Sequence, residues 1–171
     1  MKTLFLTLGL LLLFSTTNAQ KYRTNNRLLS AGIRYATLND EVPKYDFIPI
    51  NLSFENIFID KWVDHKLAVG GGIETGYFKY ILGPRIYEVK QLSLILNFHY
   101  TFNRQFEVYA GVLPGYYFDS YENTSIDHSG MDGFNNQFML GARYFIIPAL
   151  GVYTRMLIND YGAEAGLTFK F

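Results

Sequence analysis

Three histidines, and no cysteine, are the side chains of this sequence that could begin acid–base or metal chemistry. His65 lies in a charged turn-like stretch, His99 in a segment of alternating apolar residues, and His128 in a long polar stretch. None has an evident serine or aspartate partner at a matching height, which a nucleophile–base pair requires. The G-x-S-x-G pattern of hydrolases does not occur. We therefore predict that the protein is not an enzyme and has no catalytic residues.

The polar stretch Asp119–Gly133 is the other candidate for chemistry, because it carries carboxylates, which hard cations such as calcium prefer. The pattern D-x-[DN]-x-[DN]-G is absent, and exposed loops commonly have this composition. Gly70–Gly72 is not followed by Lys-Ser/Thr, so it does not match a phosphate-binding loop. We expect no metal site and no cofactor.

A larger set of charged side chains falls on the polar face of strand-like segments. It contains four bases, four acids and one histidine: Arg34, Glu55, Glu74, His99, Glu107, Arg143, Arg155, Glu164 and Lys170. Charges that are buried together must pair, because desolvation is costly. We predict a self-neutralised charge network, with a proton or ion path as the alternative. Glu164 is expected to meet Arg34, and Glu107 to meet Arg143 beside His99.

Eight segments show the period-two alternation that places apolar and polar side chains on opposite faces of a β-strand. The last one, Ala163–Phe171, is strictly alternating and finishes on an aromatic residue. Segments of about ten such residues match tilted membrane-spanning strands. The eight predicted strands are Leu28–Ala36, Phe47–Asn56, Leu67–Phe78, Leu92–Thr101, Gln105–Phe118, Phe134–Phe145, Gly151–Ile158 and Ala163–Phe171.

The connections between these segments predict which end of the sheet faces outward. Thr37–Asp46, Lys79–Gln91 and Asp119–Gly133 are the longer polar ones and are expected outside the cell. Ile57–Lys66 is predicted as a turn at the opposite end, although it is long for one. Pro49 and Pro114 lie inside strand patterns, where proline cannot donate to the ladder, so we expect irregular pairing there.

Tyrosine and phenylalanine give the chain an aromatic fraction of 18%. They fall in two bands, as expected for rings at the headgroup depth on both sides of a bilayer. The outer band is Tyr35, Phe47, Tyr77, Phe78, Tyr80, Tyr116, Tyr117, Phe118 and Phe134; the periplasmic band is Phe54, Phe98, Tyr100, Phe106, Tyr144, Phe169 and Phe171.

The composition supports one domain in which apolar and polar residues are interleaved. The chain has 171 residues, of which 49% are hydrophobic and 18% charged, and its mean hydropathy is only +0.04. The formal net charge is zero, which argues against a nucleic-acid partner. The absence of cysteine excludes disulfides and a lipid-modified amino-terminal cysteine.

The amino terminus has the features of a cleaved secretory signal peptide. Lys2 supplies the positive charge, Leu4–Phe14 the apolar region, and Ala19 the small residue at the cut. The apolar region is too short for a transmembrane helix, which needs about 20 residues. We predict a signal peptide over residues 1–19 and a mature barrel domain over residues 20–171.

With these features the chain resembles the small eight-stranded outer-membrane β-barrel proteins of Gram-negative bacteria, the class of OmpX, the OmpA membrane domain and OmpW. The resemblance rests on N-A-Q at Asn18–Gln20, the run Asn97–Phe118, G-A-R-Y-F at Gly141–Phe145, and the terminal G-L-T-F-K-F. It implies an all-β, antiparallel, up-and-down transmembrane barrel in contact with outer-membrane lipids and lipopolysaccharide. It also implies that the barrel-assembly machinery reads Phe169 and Phe171.

Three functions follow from this interpretation. The first is a non-enzymatic barrel, structural or interaction-mediating, whose external loops bind an extracellular ligand. The second is a narrow channel or hydrophobic-solute conduit. The third is a secreted binder of lipocalin type, in which the apolar set Leu92, Leu94, Leu96 and Phe98 would line a ligand cavity.

Overall fold

A computed structural model of the chain describes residues 26–35, 44–62, 66–82, 85–121, 133–158 and 162–171. Within these ranges no helix is long and apolar enough to cross a membrane. The described residues form eight strands: β1 Arg27–Tyr35, β2 Lys44–Trp62, β3 Leu67–Leu82, β4 Arg85–Thr101, β5 Phe106–Tyr121, β6 Gly133–Ile147, β7 Leu150–Leu157 and β8 Gly162–Lys170.

The strands form one closed barrel in which each is antiparallel to its neighbours in the chain. The barrel closes where β1 pairs with β8, from Leu28 opposite Lys170 to Tyr35 opposite Ala163. Beyond β8, the backbone of Phe171 exchanges two hydrogen bonds with Arg27, of 2.9 and 3.0 Å. Closure leaves no sheet edge along the spanning strands, which is the condition for a sheet to cross a bilayer.

Side-chain burial alternates along most of each strand, and the charged side chains of the alternating segments lie on the buried side together with some apolar ones. Along β1, for example, Leu28, Ser30, Gly32 and Arg34 face inward, and the residues between them face outward. This arrangement confirms the predicted eight-stranded transmembrane fold. It rules out the lipocalin-type cavity, because the residues proposed to line it lie on the exterior with exposed fractions of 43–61%: Leu92, Leu94, Leu96 and Phe98.

Two connections predicted as loops are largely strand, so both predictions are wrong in extent. β2 continues through the supposed turn Ile57–Lys66 as far as Trp62. β3 and β4 continue through Lys79–Gln91 and stay paired up to Leu82 opposite Arg85. Backbone hydrogen bonding carries these strands beyond the part where apolar and polar side chains alternate. The loop expected at Thr37–Asp46 is also shorter, because β2 begins at Lys44.

The pairing is irregular at Pro49, as predicted, whereas at Pro114 the β4–β5 pairs are interrupted without a shift of register. The β2–β3 register shifts between Phe47 and Ile50, on either side of Pro49. Pro114 is opposite Asn136 of β6, but on its other side the recorded β4–β5 pairs pass from Leu96–Val112 directly to Ser93–Gly115. Each proline removes one ladder donor, and the neighbouring strand accommodates the loss.

Among the band residues whose side chains the structure describes, most are on the exterior and two are not. Phe47 packs edge-on against Tyr77 at 5.6 Å between ring centroids, and Phe102 stacks on Phe106 at 5.5 Å. Tyr117 and Phe78, predicted to belong to the outer band, instead point inward and pack against the same interior cluster. Tyr117 lies two residues from Gly115, and Phe78 lies two residues from Gly76; both glycines face the lumen. Residues two apart on a strand point to the same face of the sheet, so both rings point inward.

Several predictions concern residues outside the described ranges. These are the signal peptide over residues 1–19, the cation candidates of the 122–132 segment, His65 and His128. They stay predictions.

Candidate functional site: the charged interior of the barrel

The nine charged or titratable residues singled out from the sequence all point into the barrel. Their exposed fractions range from 0% for His99 to 9% for Lys170. Each of the eight strands supplies at least one of them, because the inward-facing parity of every strand includes a charged or imidazole position. Eight of them form two groups of four, and the ninth, Lys170, lies beside one of these groups.

The upper cluster consists of Arg34, Glu74, Arg155 and Glu164 and forms a closed ring of four ion pairs. Arg34 contacts Glu74 at 2.5 Å and Glu164 at 3.1 Å. Arg155 contacts the same two carboxylates at 2.5 and 2.7 Å. The two positive and two negative charges balance, so the cluster is neutral as a unit.

Neutral side chains form further hydrogen bonds with the upper cluster. The Tyr153 hydroxyl donates to Oε1 of Glu164 at 2.5 Å, and the Asn51 amide donates to its Oε2 at 3.1 Å. Arg34 also donates to Oε1 of Gln91 at 2.6 Å. None of the three was singled out from the sequence. The alternation along the predicted strands could have placed Asn51 and Tyr153 on the inward face. Gln91 could not be found in this way, because it lies in a segment predicted as a loop.

The lower cluster consists of Glu55, His99, Glu107 and Arg143 and lies nearer the chain termini. The His99 ring nitrogens face two carboxylates, with Nε2 2.8 Å from Glu55 and Nδ1 3.6 Å from Glu107. Arg143 forms an ion pair with Glu107 through Nη1 and approaches Glu55 at 3.7 Å through Nη2. The guanidinium also lies over the Tyr109 ring, 4.8 Å from its centroid.

Lys170 lies at the end of β8, within electrostatic reach of Glu107 and Arg143 of the lower cluster. Its ammonium group lies 4.2 Å from the centroid of the Phe145 ring. Phe145 belongs to a buried apolar group with Leu28, Ile57 and Ala68 at the same end of the barrel. A cation–π contact of this kind lets an ammonium group remain in a largely apolar environment.

Apolar residues fill the rest of the interior. A central group packs between the charged clusters: Ile95, Tyr109, Leu113, Met139 and Leu157. At the end that carries the 83–84 connection, a third group of Tyr87, Val89 and Tyr117 covers the upper cluster; we call it the outer cap. Gln137 holds the cap in place by donating to the Tyr117 hydroxyl at 2.5 Å.

Inward-facing glycines make room for these large side chains. A Cβ placed on Gly70 would lie 2.5 Å from Oε1 of Glu55 and 3.0 Å from Nε2 of His99. A Cβ on Gly32 would collide with the Tyr153 hydroxyl, and one on Gly141 with the Tyr109 ring. The interior charges can therefore reach across the barrel only because the facing wall has no side chain at these positions.

The arrangement offers ion pairing rather than reaction chemistry. In the part of the chain that the structure describes, no group of three or more His, Cys, Asp or Glu is placed to hold a metal ion. The inward hydroxyls of Ser30 and Ser93 bond to Thr168 and Gln91, away from the His99 imidazole. What the interior can do is bind the eight strands to one another through buried charge.

No protein-family model and no curated protein matches the sequence. Solved structures do match in shape. OprG of Pseudomonas aeruginosa aligns with a TM-score of 0.57 at 12% identity, over 90% of this chain and 99% of that one. Ail of Yersinia pestis, solved in complex with the heparin analogue sucrose octasulfate, gives 0.50 at 11% identity, over 87% of this chain and 100% of that one.

A designed transmembrane β-barrel gives a TM-score of 0.54 at 11% identity, over 89% of this chain and 100% of that one. The fold is that of the small outer-membrane β-barrels. A closed sheet with an apolar exterior and buried charges is stable only in a bilayer, so the chain is an integral outer-membrane protein. Because a designed barrel shares the shape, the fold alone does not assign a task.

Proposed function

We propose that this outer-membrane barrel is non-enzymatic and closed to solutes, and that it acts through its exterior, as an envelope component or as a binder of an extracellular ligand. The observation that carries this proposal is the position of Glu74. Its two carboxylate oxygens bond Arg34 of β1 and Arg155 of β7, each at 2.5 Å. The contacts therefore cross the lumen, which in an eight-stranded barrel is only wide enough for side chains.

The outer cap supports the same conclusion independently. Tyr87, Val89 and Tyr117 are at most 8% exposed and cover the upper cluster. An ion entering from this end would have to displace packed aromatic rings and then break buried ion pairs. Both steps are unfavourable, so a closed lumen is the lower-energy arrangement.

The barrel is proposed to lie with both termini in the periplasm. The connections at residues 36–43, 83–84, 122–132 and 158–161 then face outward, and those at 63–66, 102–105 and 148–149 face the periplasm. The outward end carries the longer connections and is the candidate ligand-binding surface. Ail, which has this fold, was solved with a heparin analogue, so a barrel of this size can hold a ligand.

The terminal aromatic residues are proposed as the signal that the barrel-assembly machinery reads. Phe169 and Phe171 are 47% and 62% exposed on the outer surface of the closing strand. Phe171 is held by backbone bonds to Arg27, so its ring is free to project outward. A partner that binds β8 before closure could contact both rings at once.

Single-channel recording in planar bilayers tests the closed lumen. The wild-type barrel is expected to insert without stepwise conductance. A Tyr109→Ala/Tyr153→Ala variant, which removes two large interior rings, shows that the assay detects an opened lumen. Conductance steps in the wild type as large as those of the opened variant would show instead that the protein is a narrow channel.

A further inference from the structure

The outward surface of β3 and β4 carries a small charged group. It lies next to the outer end of the apolar belt, the band of exposed apolar side chains on the exterior that includes Leu92, Leu94 and Phe98. Lys79 and Lys90 both contact Glu88, with Nζ to carboxylate distances of 3.4 and 3.0 Å. Lys79 is directly opposite Glu88 in the β3–β4 register. We call these three residues the boundary lysine site. Two ammonium groups share one carboxylate, so the site has one positive charge in excess.

The site lies at the edge of the membrane-facing surface. Leu92 and Leu94 follow Lys90 on the same outward face of β4 and are 54% and 61% exposed. Lys90 is two residues beyond Leu92, which is about 7 Å along a strand. The ammonium groups therefore stand just above the hydrocarbon region, where lipid headgroups carry their phosphates.

Aromatic rings flank the site at the same height. Lys90 is opposite Tyr77 on one side and Phe118 on the other. Phe118 packs against Tyr116 at 4.9 Å between centroids, and Tyr77 packs against Phe47. Rings of this kind mark the headgroup depth of a barrel. They also limit the lateral freedom of a lipid bound between them.

We propose that the boundary lysine site binds a phosphate group of an outer-leaflet lipid. The partner follows from chemistry and continuity: the adjoining surface already contacts acyl chains, and a phosphate complements the excess positive charge. Side-chain exposure agrees, since Lys90 is 61% exposed while Lys79 and Glu88 are 28% exposed. Glu88 neutralises one of the two ammonium charges, and Lys90, the more exposed lysine, presents N–H donors to the ligand. The inference is independent of the closed lumen and rests only on the orientation proposed above.

The test uses the full barrel in a non-ionic detergent, with bisphosphorylated lipid A and its dephosphorylated form as probes. Lipid retained per barrel is counted by native mass spectrometry. The wild type is expected to retain the phosphorylated probe preferentially. Lys79→Gln and Lys90→Gln should each weaken retention about five-fold, since a basic residue near a charged membrane surface contributes about 1 kcal/mol.

Two further variants make the result specific. Lys66→Gln removes an exposed lysine at the opposite end of β3 and should leave retention unchanged. Glu88→Gln removes the competing carboxylate and should raise retention about as much as one lysine contributes. A heat-dependent mobility shift on a gel verifies that every variant is folded. Equal retention of both probes by the wild type, or an unchanged Lys79→Gln/Lys90→Gln variant, would overturn the proposal without affecting the conductance result.

Discussion

Arg34 of β1 and Glu164 of β8 lie directly opposite each other across the line where the first and last strands meet, with Nε of the arginine 3.1 Å from Oε2 of the glutamate. The same carboxylate contacts Arg155 of β7 at 2.7 Å and accepts a hydrogen bond from the Tyr153 hydroxyl. Glu164 of β8 is therefore the acceptor that side chains of β1 and β7 share.

Replacing Glu164 with glutamine should destabilise the barrel strongly. The change keeps the side chain's shape but leaves Arg34 and Arg155 sharing only Glu74, so one buried positive charge loses its counter-ion. We expect a loss of about 3–5 kcal/mol in the free energy of unfolding. Urea titration followed by gel mobility measures it. Glu88→Gln, the same change at a carboxylate on the outer surface, should cost far less, because ion pairs at a surface contribute little; equal losses would contradict the role of Glu164.

In the lower cluster, Arg143→Met should cost about 3–5 kcal/mol, because it strands the Glu107 carboxylate in the interior. Glu107→Gln added to that variant removes the stranded charge and should restore part of the stability. The coupling free energy from this double-mutant cycle measures the pair. Two single effects that simply add would show that Arg143 and Glu107 do not interact.

Gly141→Ala should destabilise through steric conflict alone. The new methyl would overlap the Tyr109 ring, which lies directly opposite Gly141 on β5. Overpacking of this kind costs about 1–3 kcal/mol. Tyr109→Leu in the same chain should relieve part of the loss, whereas Ala110→Val, an enlargement on the exposed neighbouring face, should have little effect. The thermal midpoint of the gel shift reports both.

Leu94→Arg tests which face meets the bilayer. Leu94 is 61% exposed in the middle of the apolar belt, and arginine at the bilayer midplane costs about 2–4 kcal/mol. Asn136→Arg, on the same exterior but near the outer rim opposite Pro114, should cost about 0–1 kcal/mol. Folding into lipid vesicles over a range of urea concentrations gives both values. If water rather than lipid surrounded this exterior, both arginine substitutions would leave the free energy of unfolding nearly unchanged.

The terminal rings should affect assembly more than stability. Phe171→Ala keeps the backbone bonds to Arg27, so the finished barrel should unfold at nearly the wild-type urea concentration. Its appearance as a heat-shifted band in the outer membrane should be slower. Phe138→Ala removes a similarly exposed ring, 49% exposed, from β6. If that variant assembles as slowly, the rings of β8 carry no special signal.

Much of the architecture could be predicted from alternation, because a bilayer outside and a polar interior impose opposite chemistry on the two faces of every strand. Prediction failed where that contrast ends. The β3–β4 pair continues to Leu82 and Arg85, beyond the apolar belt, where exterior residues such as Lys79 and Glu88 are charged. Backbone hydrogen bonds pair these segments, and such bonds do not require apolar and polar residues to alternate in the sequence.

For the interior, parity predicts which side chains face inward but not which of them meet. Neighbouring strands suggested Arg34 with Glu164, and these are in contact. The pair of Glu74 with Arg155 joins β3 to β7 across the lumen. Such contacts depend on the stagger of all eight strands and on side-chain reach, neither of which is visible in the spacing of residues along one strand.

The interior charges come from all eight strands, so their pairing depends on closure of the barrel. A sheet that has not yet curled round leaves Glu74 without the guanidinium of β7 and Arg34 without the carboxylate of β8. Its polar face then exposes charges that lack these partners, and moving such charges from water into the hydrocarbon of a bilayer is unfavourable. Only in the closed barrel do Arg34 and Arg155 both contact Glu74 and Glu164, so the pairing of these charges depends on completion of the barrel.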